Sequence, residues 1–131
     1  MDTLPDTFTD CLFCQPYAER LVYENATGYA ILDGFPVTKY HALVIPKRHV
    51  ETYFELSRNE VIDCHNLLNI LKDYILNADK TVEGFNIGIN SGKAAGQTIA
   101  HCHVHLIPRR HGDVANPRGG IRNVIPGKGE Y

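Results

Sequence analysis

No stretch of this sequence is apolar for long enough to cross a bilayer, which takes about 20 consecutive apolar residues, so no membrane-spanning helix is expected. Residues Met1 to Phe8 are acidic and lack the charged-then-apolar order of an export signal. A cytoplasmic protein with no anchor is therefore expected. Basic residues are not in excess either. Thirteen Lys and Arg face fifteen Asp and Glu, a net charge of −2. That argues against a polymer nucleic acid as the main partner, because such binders carry a basic face. Local positive groups in PKRH (Pro46 to His49) and PRRH (Pro108 to His111) are enough for a small anionic ligand. There is no internal repeat and no low-complexity segment. At 131 residues the chain has the size of one ordinary domain and can bury a core without disulfides.

Cysteine is scarce, with four residues: Cys11, Cys14, Cys64 and Cys102. In a reducing compartment a close Cys-x-x-Cys pair points to metal or redox chemistry rather than to a disulfide. Cys64 and Cys102 sit at positions expected in the core, where free cysteine behaves as a small apolar residue. Two thiolates cannot close a structural zinc site, which takes four ligands. From the pair alone zinc, a redox dithiol and unligated core cysteines all stay open.

The pattern along the chain predicts an α+β fold with an antiparallel sheet, one major helix and a short one. Residues 1–10 read as a flexible tail, and 11–131 as a single domain ending in an irregular segment over 111–131. RLVYENATGYAILD reads as a hairpin turning at Asn25 to Gly28. HALVIP (His41 to Pro46) and FNIGIN (Phe85 to Asn90) read as strands. Ser57 and Glu60 form the S-x-x-E pattern of a helix start. Val61, Cys64, Leu68, Leu71 and Ile75 then follow as one apolar stripe.

Three of the seven histidines fall at alternate positions in GQTIAHCHVHLIPRR. On a strand His101, His103 and His105 would share a face, with Cys102, Val104 and Leu106 turned to the core. Neighbours in such a row lie about 6–7 Å apart, which suits contact with successive parts of one extended ligand better than a single metal ion. Just upstream, Gly92 and Gly96 permit unusual backbone angles, so the loop amides could cradle an anion, with Ser91, Gln97 and Thr98 adding neutral donors. An imidazole beside a seated phosphate can attack phosphorus and leave again, and its near-neutral pKa lets a neighbour serve the leaving oxygen.

GQTIAHCHVHLIPR, NSGKAAGQT, HALVIPKRHV and CLFC together resemble the histidine triad (HIT) family of nucleotide hydrolases and transferases over roughly residues 11 to 110. The resemblance implies a HIT-like fold. It also implies that His103 is the nucleophile toward the α-phosphate of a purine nucleotide, with His105 assisting the leaving group and His41 supporting the row. Asn90, Gln97 and Thr98 match the family's phosphate contacts. Asp33 matches its ribose contact, and Ile31 and Leu43 its base pocket. Members that begin with such a cysteine pair, like galactose-1-phosphate uridylyltransferase, complete a structural zinc site with two histidines. Here these would be His49 and His101 beside Cys11 and Cys14. The tail GDVANPRGGIRNVIPGKGEY is similar to that of diadenosine polyphosphate hydrolases or phosphorylases. Diadenosine polyphosphate hydrolysis through a nucleotidyl-histidine is the leading expectation, with Mg2+ accompanying the polyphosphate. A Hint-like phosphoramidase, a phosphorylase and a non-catalytic nucleotide-binding module are the alternatives. A homodimer is expected from the family, with no polymer nucleic acid and no membrane as partner.

Overall fold

The computed structural model describes residues 11–14 and 18–131. The tail expected over residues 1–10 lies outside them. Five strands form one antiparallel sheet: β1 (Leu21–Glu24), β2 (Gly28–Leu32), β3 (Ala42–Pro46), β4 (Gly84–Ile89) and β5 (Val104–Arg109), in the spatial order β1-β2-β3-β5-β4. The expected hairpin is β1–β2. Its turn is held by the Asn25 side chain, whose Oδ1 accepts from the Gly28 amide at 3.0 Å. The strands expected at HALVIP and FNIGIN are β3 and β4.

The α-helix, α1 (Arg58–Ala78), starts where expected. The Ser57 hydroxyl accepts from the Glu60 amide at 3.2 Å, and the Glu60 carboxylate accepts from the Ser57 amide at 2.8 Å. Its apolar seam is Cys64, Leu67, Leu71 and Ile75. Leu67 is fully buried, while the expected Leu68 only flanks the core and Val61 is half-buried. The spacing of the two adjacent leucines left the phase of the stripe ambiguous by one residue. The expected short helix corresponds to single 3₁₀ turns, among them Tyr53–Glu55 and Gly120–Val124.

Alternation along the strands sorts the sheet into two faces. Ala30, Ala42, Val44, Val104 and Leu106 pack against α1 with its seam residues. Tyr29, Ile31, Leu43 and Ile45 face the other way, covered at one end by Cys11 and Phe13. Paired residues of neighbouring strands share a face. The register therefore lays a crosswise row Ile31–Leu43–His105–Gly88 over this second face. Among the described residues no helix is long and apolar enough to cross a membrane.

Candidate functional site

The three histidines do not share one strand. β5 begins at Val104, so only His105 belongs to it, and His101 and His103 lie on its approach. The approach is tied by the Cys102 amide, which donates to the Val50 carbonyl at 2.8 Å. Freed from strand alternation, the rings take separate directions. His103 and His105 have ring centroids 5.1 Å apart, closer than an extended row allows. His101 turns instead to the N-terminal cysteines.

Each ring's tautomer follows from a fixed neighbour. The Nε2 of His101 lies 2.7 Å from the Pro46 carbonyl, which can only accept, so Nε2 carries the hydrogen and Nδ1 keeps its lone pair. That Nδ1 lies 3.3 Å from Cys11 Sγ, 3.5 Å from Cys14 Sγ and 3.2 Å from His49 Nδ1, and His49 Nδ1 is 3.1 Å from Cys14 Sγ. All four ligand atoms lie within 4.8 Å of one another. In a tetrahedral zinc site, bonds of about 2.3 Å to sulfur and about 2.0–2.1 Å to nitrogen place ligand atoms about 3.3–3.8 Å apart. The cluster has that size, that donor chemistry and a lone pair already directed inward, so the residues fit the ion. Burial and the neighbouring Cys11 push the Cys14 thiol up to about 11, the opposite of an activated redox dithiol.

His103 is 8 % exposed. Its Nδ1 lies 2.8 Å from the His101 carbonyl and must donate to it, which leaves a lone pair on Nε2. Phe13 packs edge-on against it, with centroids 5.0 Å apart, and also touches His101 at 6.2 Å. The Phe13 carbonyl accepts from the Tyr29 hydroxyl. Burial lowers the pKa of His103 from the ordinary histidine value, so the ring stays neutral and nucleophilic.

His41 completes the chain of tautomers. The Val37 amide donates to its Nδ1 at 3.1 Å, so the hydrogen sits on Nε2. From there it reaches His105 Nδ1 at 2.9 Å, with the Asp33 carboxylate 3.4 Å away. His105 Nδ1 accepts, and its own hydrogen is therefore on Nε2. Burial first, then His103 and His41, hold His105 down to about 4. Burial lowers His41 too, against the opposing pull of Asp33. Asp33, His41 and His105 also lie within 4.8 Å of one another. A metal there would need the Nε2 lone pair of His41 and hence a hydrogen on Nδ1, where the Val37 N–H already points. This second cluster is therefore organised around a proton.

The remaining expected residues surround this network. Ile31 and Leu43 are buried in the same row as His105. Asp33 follows β2, with its amide donating to the His41 carbonyl at 2.8 Å and its Oδ1 accepting from Phe35. Asn90 directly follows β4, and Thr98 is exposed on the glycine loop. Gly92 and Gly96 have φ of 97° and 95°, so the glycines are required. The loop is closed on itself more than expected. The amides of Ala95, Gly96 and Gln97 bond to Gly92 and Lys93 carbonyls, and Gln97 Oε1 accepts from the Gly92 amide. The Gln97 side-chain amide donates to Glu51 and Ile99 carbonyls, bracing the loop against the body.

Three contributors escaped the sequence reading. Phe13 was hidden between the two cysteines. The Val37 amide carries no side-chain signal at all. Tyr40, with φ of 72°, is the one described non-glycine residue with positive φ; it precedes His41 and packs edge-on against Tyr74 of α1. Cys64 and Cys102 are buried with thiols pushed up to about 11 and about 12, as suits core residues. His65 bonds to Asn69 on an exposed stretch of α1, and His111 is exposed.

Comparison with known proteins matches a family model described as the HIT domain over residues 16–112. An uncharacterized HIT-like protein of Methanocaldococcus jannaschii is 36% identical over 119 residues, covering 87% of this chain and 91% of that protein. Arabidopsis thaliana adenylylsulfatase HINT3 is 34% identical over 108 residues, covering 79% of this chain and 54% of that protein. A crystal structure of a zinc-bound histidine triad family protein from Mycobacterium smegmatis superposes with a TM-score of 0.73 at 33% identity, covering 84% and 82% of the two chains.

Proposed function

The chain belongs to the HIT domain family, and on that premise we propose that it is a nucleotide hydrolase that cleaves the α-phosphate linkage of diadenosine polyphosphates through a nucleotidyl-histidine. The observation that carries this reading is the pair of locked tautomers: a lone pair on His103 Nε2 beside an N–H on His105 Nε2.

In this reading the nucleoside lies over Ile31 and Leu43 with its ribose at Asp33, and Asn90, Gln97 and Thr98 flank the phosphate. His103 Nε2 attacks the α-phosphorus, a P–N bond forms, and the P–O bond to the leaving group breaks. His105 donates a hydrogen bond to the departing oxygen. Water then attacks the same phosphorus, the electron pair of the P–N bond returns to His103, the monophosphate leaves and a proton passes to solvent.

The state of His105 discriminates among leaving groups. A neutral imidazole held well below the ordinary histidine range is a good hydrogen-bond donor and a poor proton donor. A polyphosphate or a sulfate departs as a stable anion and needs no proton, whereas an amine does. This favours polyphosphate over phosphoramidate substrates. Sulfate release, the activity in the name of the Arabidopsis relative, is the second reading.

The test is turnover of diadenosine tetraphosphate with and without inorganic phosphate, with adenosine phosphoramidate and adenosine 5′-phosphosulfate alongside. AMP plus ATP without phosphate is expected. ADP plus ATP only with phosphate would make the protein a phosphorylase. Turnover of phosphoramidate alone would overturn the leaving-group argument.

We also propose that Cys11, Cys14, His49 and His101 hold a structural zinc, which would clamp the N-terminal turn to the approach of β5. Residues 11–131 would act as one unit, as a homodimer in the cytoplasm.

A further inference from the structure

The crosswise row that contains His105 has two sides. Toward β3 and β2 it continues into Leu43 and Ile31, the proposed nucleoside side. Toward β4 it ends one strand away, about 5 Å from His105, at Gly88. The same face of β4 carries Gly84, Asn86 and Gly88, so no large side chain rises beside the histidine. What lies over it is the tail. A Cβ on Gly88 would stand 3.9 Å from Ile121 Cδ1, and one on Gly120 would stand 3.3 Å from Asn86 Nδ2. The φ of Gly88 is not positive, so its lack of a side chain serves space rather than backbone conformation.

The turn Gly120–Val124 is secured without Gly88. Asn86, which lies against Gly120, is held by Arg109, whose guanidinium donates to Asn86 Oδ1 at 2.6 Å and pairs with Asp113 at 2.8 Å. Arg122 donates to the Lys128 carbonyl at 3.0 Å, and the Arg118 and Arg122 guanidiniums lie over the Tyr131 ring. On this braced turn Ile121 and Val124 stay 53 % and 75 % exposed, and Ile125 just after it 60 %.

We infer that Gly88 and Ile121 form the leaving-group side of the site, with the tail turn as an apolar wall, and that they select a leaving group with a broad apolar face, such as a nucleobase, over a small anion. The inference rests on the reading above, because the nucleoside occupies one side of His105 and the departing group must take the other. A base seated there would cover aliphatic surface that otherwise faces water, the ordinary source of apolar affinity.

The test compares two adenylyl substrates that differ only beyond the scissile bond. Adenosine 5′-phosphosulfate releases sulfate, and diadenosine tetraphosphate releases a nucleotide. In wild type, kcat/KM favours the dinucleotide. Gly88→Val fills the space and lowers kcat/KM for the dinucleotide by about 10-fold or more, the size of effect a filled pocket produces, with less than about 3-fold change for the phosphosulfate. Ile121→Ser, a surface change far from the core, lowers the same ratio by about 3-fold and covers the case in which Gly88→Val does not fold. Calorimetry with AMP and a methylene-bridged diadenosine tetraphosphate reads the same point without chemistry: the variants weaken the analogue and leave AMP unchanged. Equal losses on both substrates, or unchanged affinity for the analogue, overturn the inference. If wild type turns over neither substrate, the hydrolase reading fails, and the affinities alone decide whether the β4 side binds the second moiety.

Discussion

A single hydrogen position decides what each histidine can do. The His101 carbonyl takes the Nδ1 hydrogen of His103, and the Val37 amide forces that of His41 onto Nε2. Removal of the His103 ring is therefore expected to lower kcat by at least about 10³-fold with little change in the affinity for AMP, measured by single-turnover kinetics and calorimetry. The same network fixes an acid limb. His105 is held down to about 4 and His41 is lowered as well, so both stay neutral below the ordinary value of 6.5. Activity is expected to stay level as the pH falls from 7 through 6, then drop as it approaches the His105 value. A fall centred at 6.5 would contradict this. Stability follows the same sign. The unfolded chain takes up protons near pH 6.5 and the folded one only lower, so stability is full above 6.5. It declines as pH falls toward 4, by up to about 1.4 kcal/mol per pH unit for one such histidine. Denaturant titrations across that window measure the slope.

At the scale of elements, α1 offers the plainest test. Ser57→Ala removes one half of the reciprocal cap and is expected to cost about 1 kcal/mol, read as a lower denaturant midpoint at unchanged slope. That cap was legible in the sequence because it is local: four consecutive residues contain the whole interaction. The hairpin and the strands β3 and β4 were legible for the same reason, since period and turn chemistry lie within each segment. The candidate site was legible as a set of residues, but only through the family's pattern, and its geometry was not. Strand alternation placed three histidines in one row, whereas β5 starts at Val104 and lets His101 turn away. Nothing local marks that start, which depends on pairing with β3 and β4 and on the Cys102 to Val50 bond. The Gln97 brace was hidden likewise, because one of its partners, the Glu51 carbonyl, lies 46 residues away.

For the whole molecule, the cysteine–histidine cluster joins segments that are distant in sequence: Cys14 and His101 are 87 residues apart, Cys14 and His49 are 35. Zinc there would bind the folded chain far better than the unfolded one. At metal about a thousand-fold above its dissociation constant the gain is about 4 kcal/mol. At about 3–4 °C per kcal/mol, chelation is expected to lower Tm by about 10–15 °C, in a differential scan with and without chelator. Cys14→Ser should reproduce most of that loss and make the protein insensitive to chelator. The effect should reach the chemistry, because the carbonyl that orients His103 belongs to His101 itself. A smaller kcat at nearly constant KM is the expected signature.

The row Ile31–Leu43–His105–Gly88 divides labour between the inside and the margin of the sheet. His105 stands on β5, flanked on both sides by Leu43 and Gly88, where a substitution disturbs two neighbours. The last member, Gly88, stands on an outermost strand, paired with β5 on one side and approached by Ile121 of the irregular tail. In a lineage descended from such a molecule, drift would be purged at the centre and tolerated at the margin. New specificities would then arise by altering the edge strand and the tail, while the inherited reaction passed unchanged from one descendant to the next.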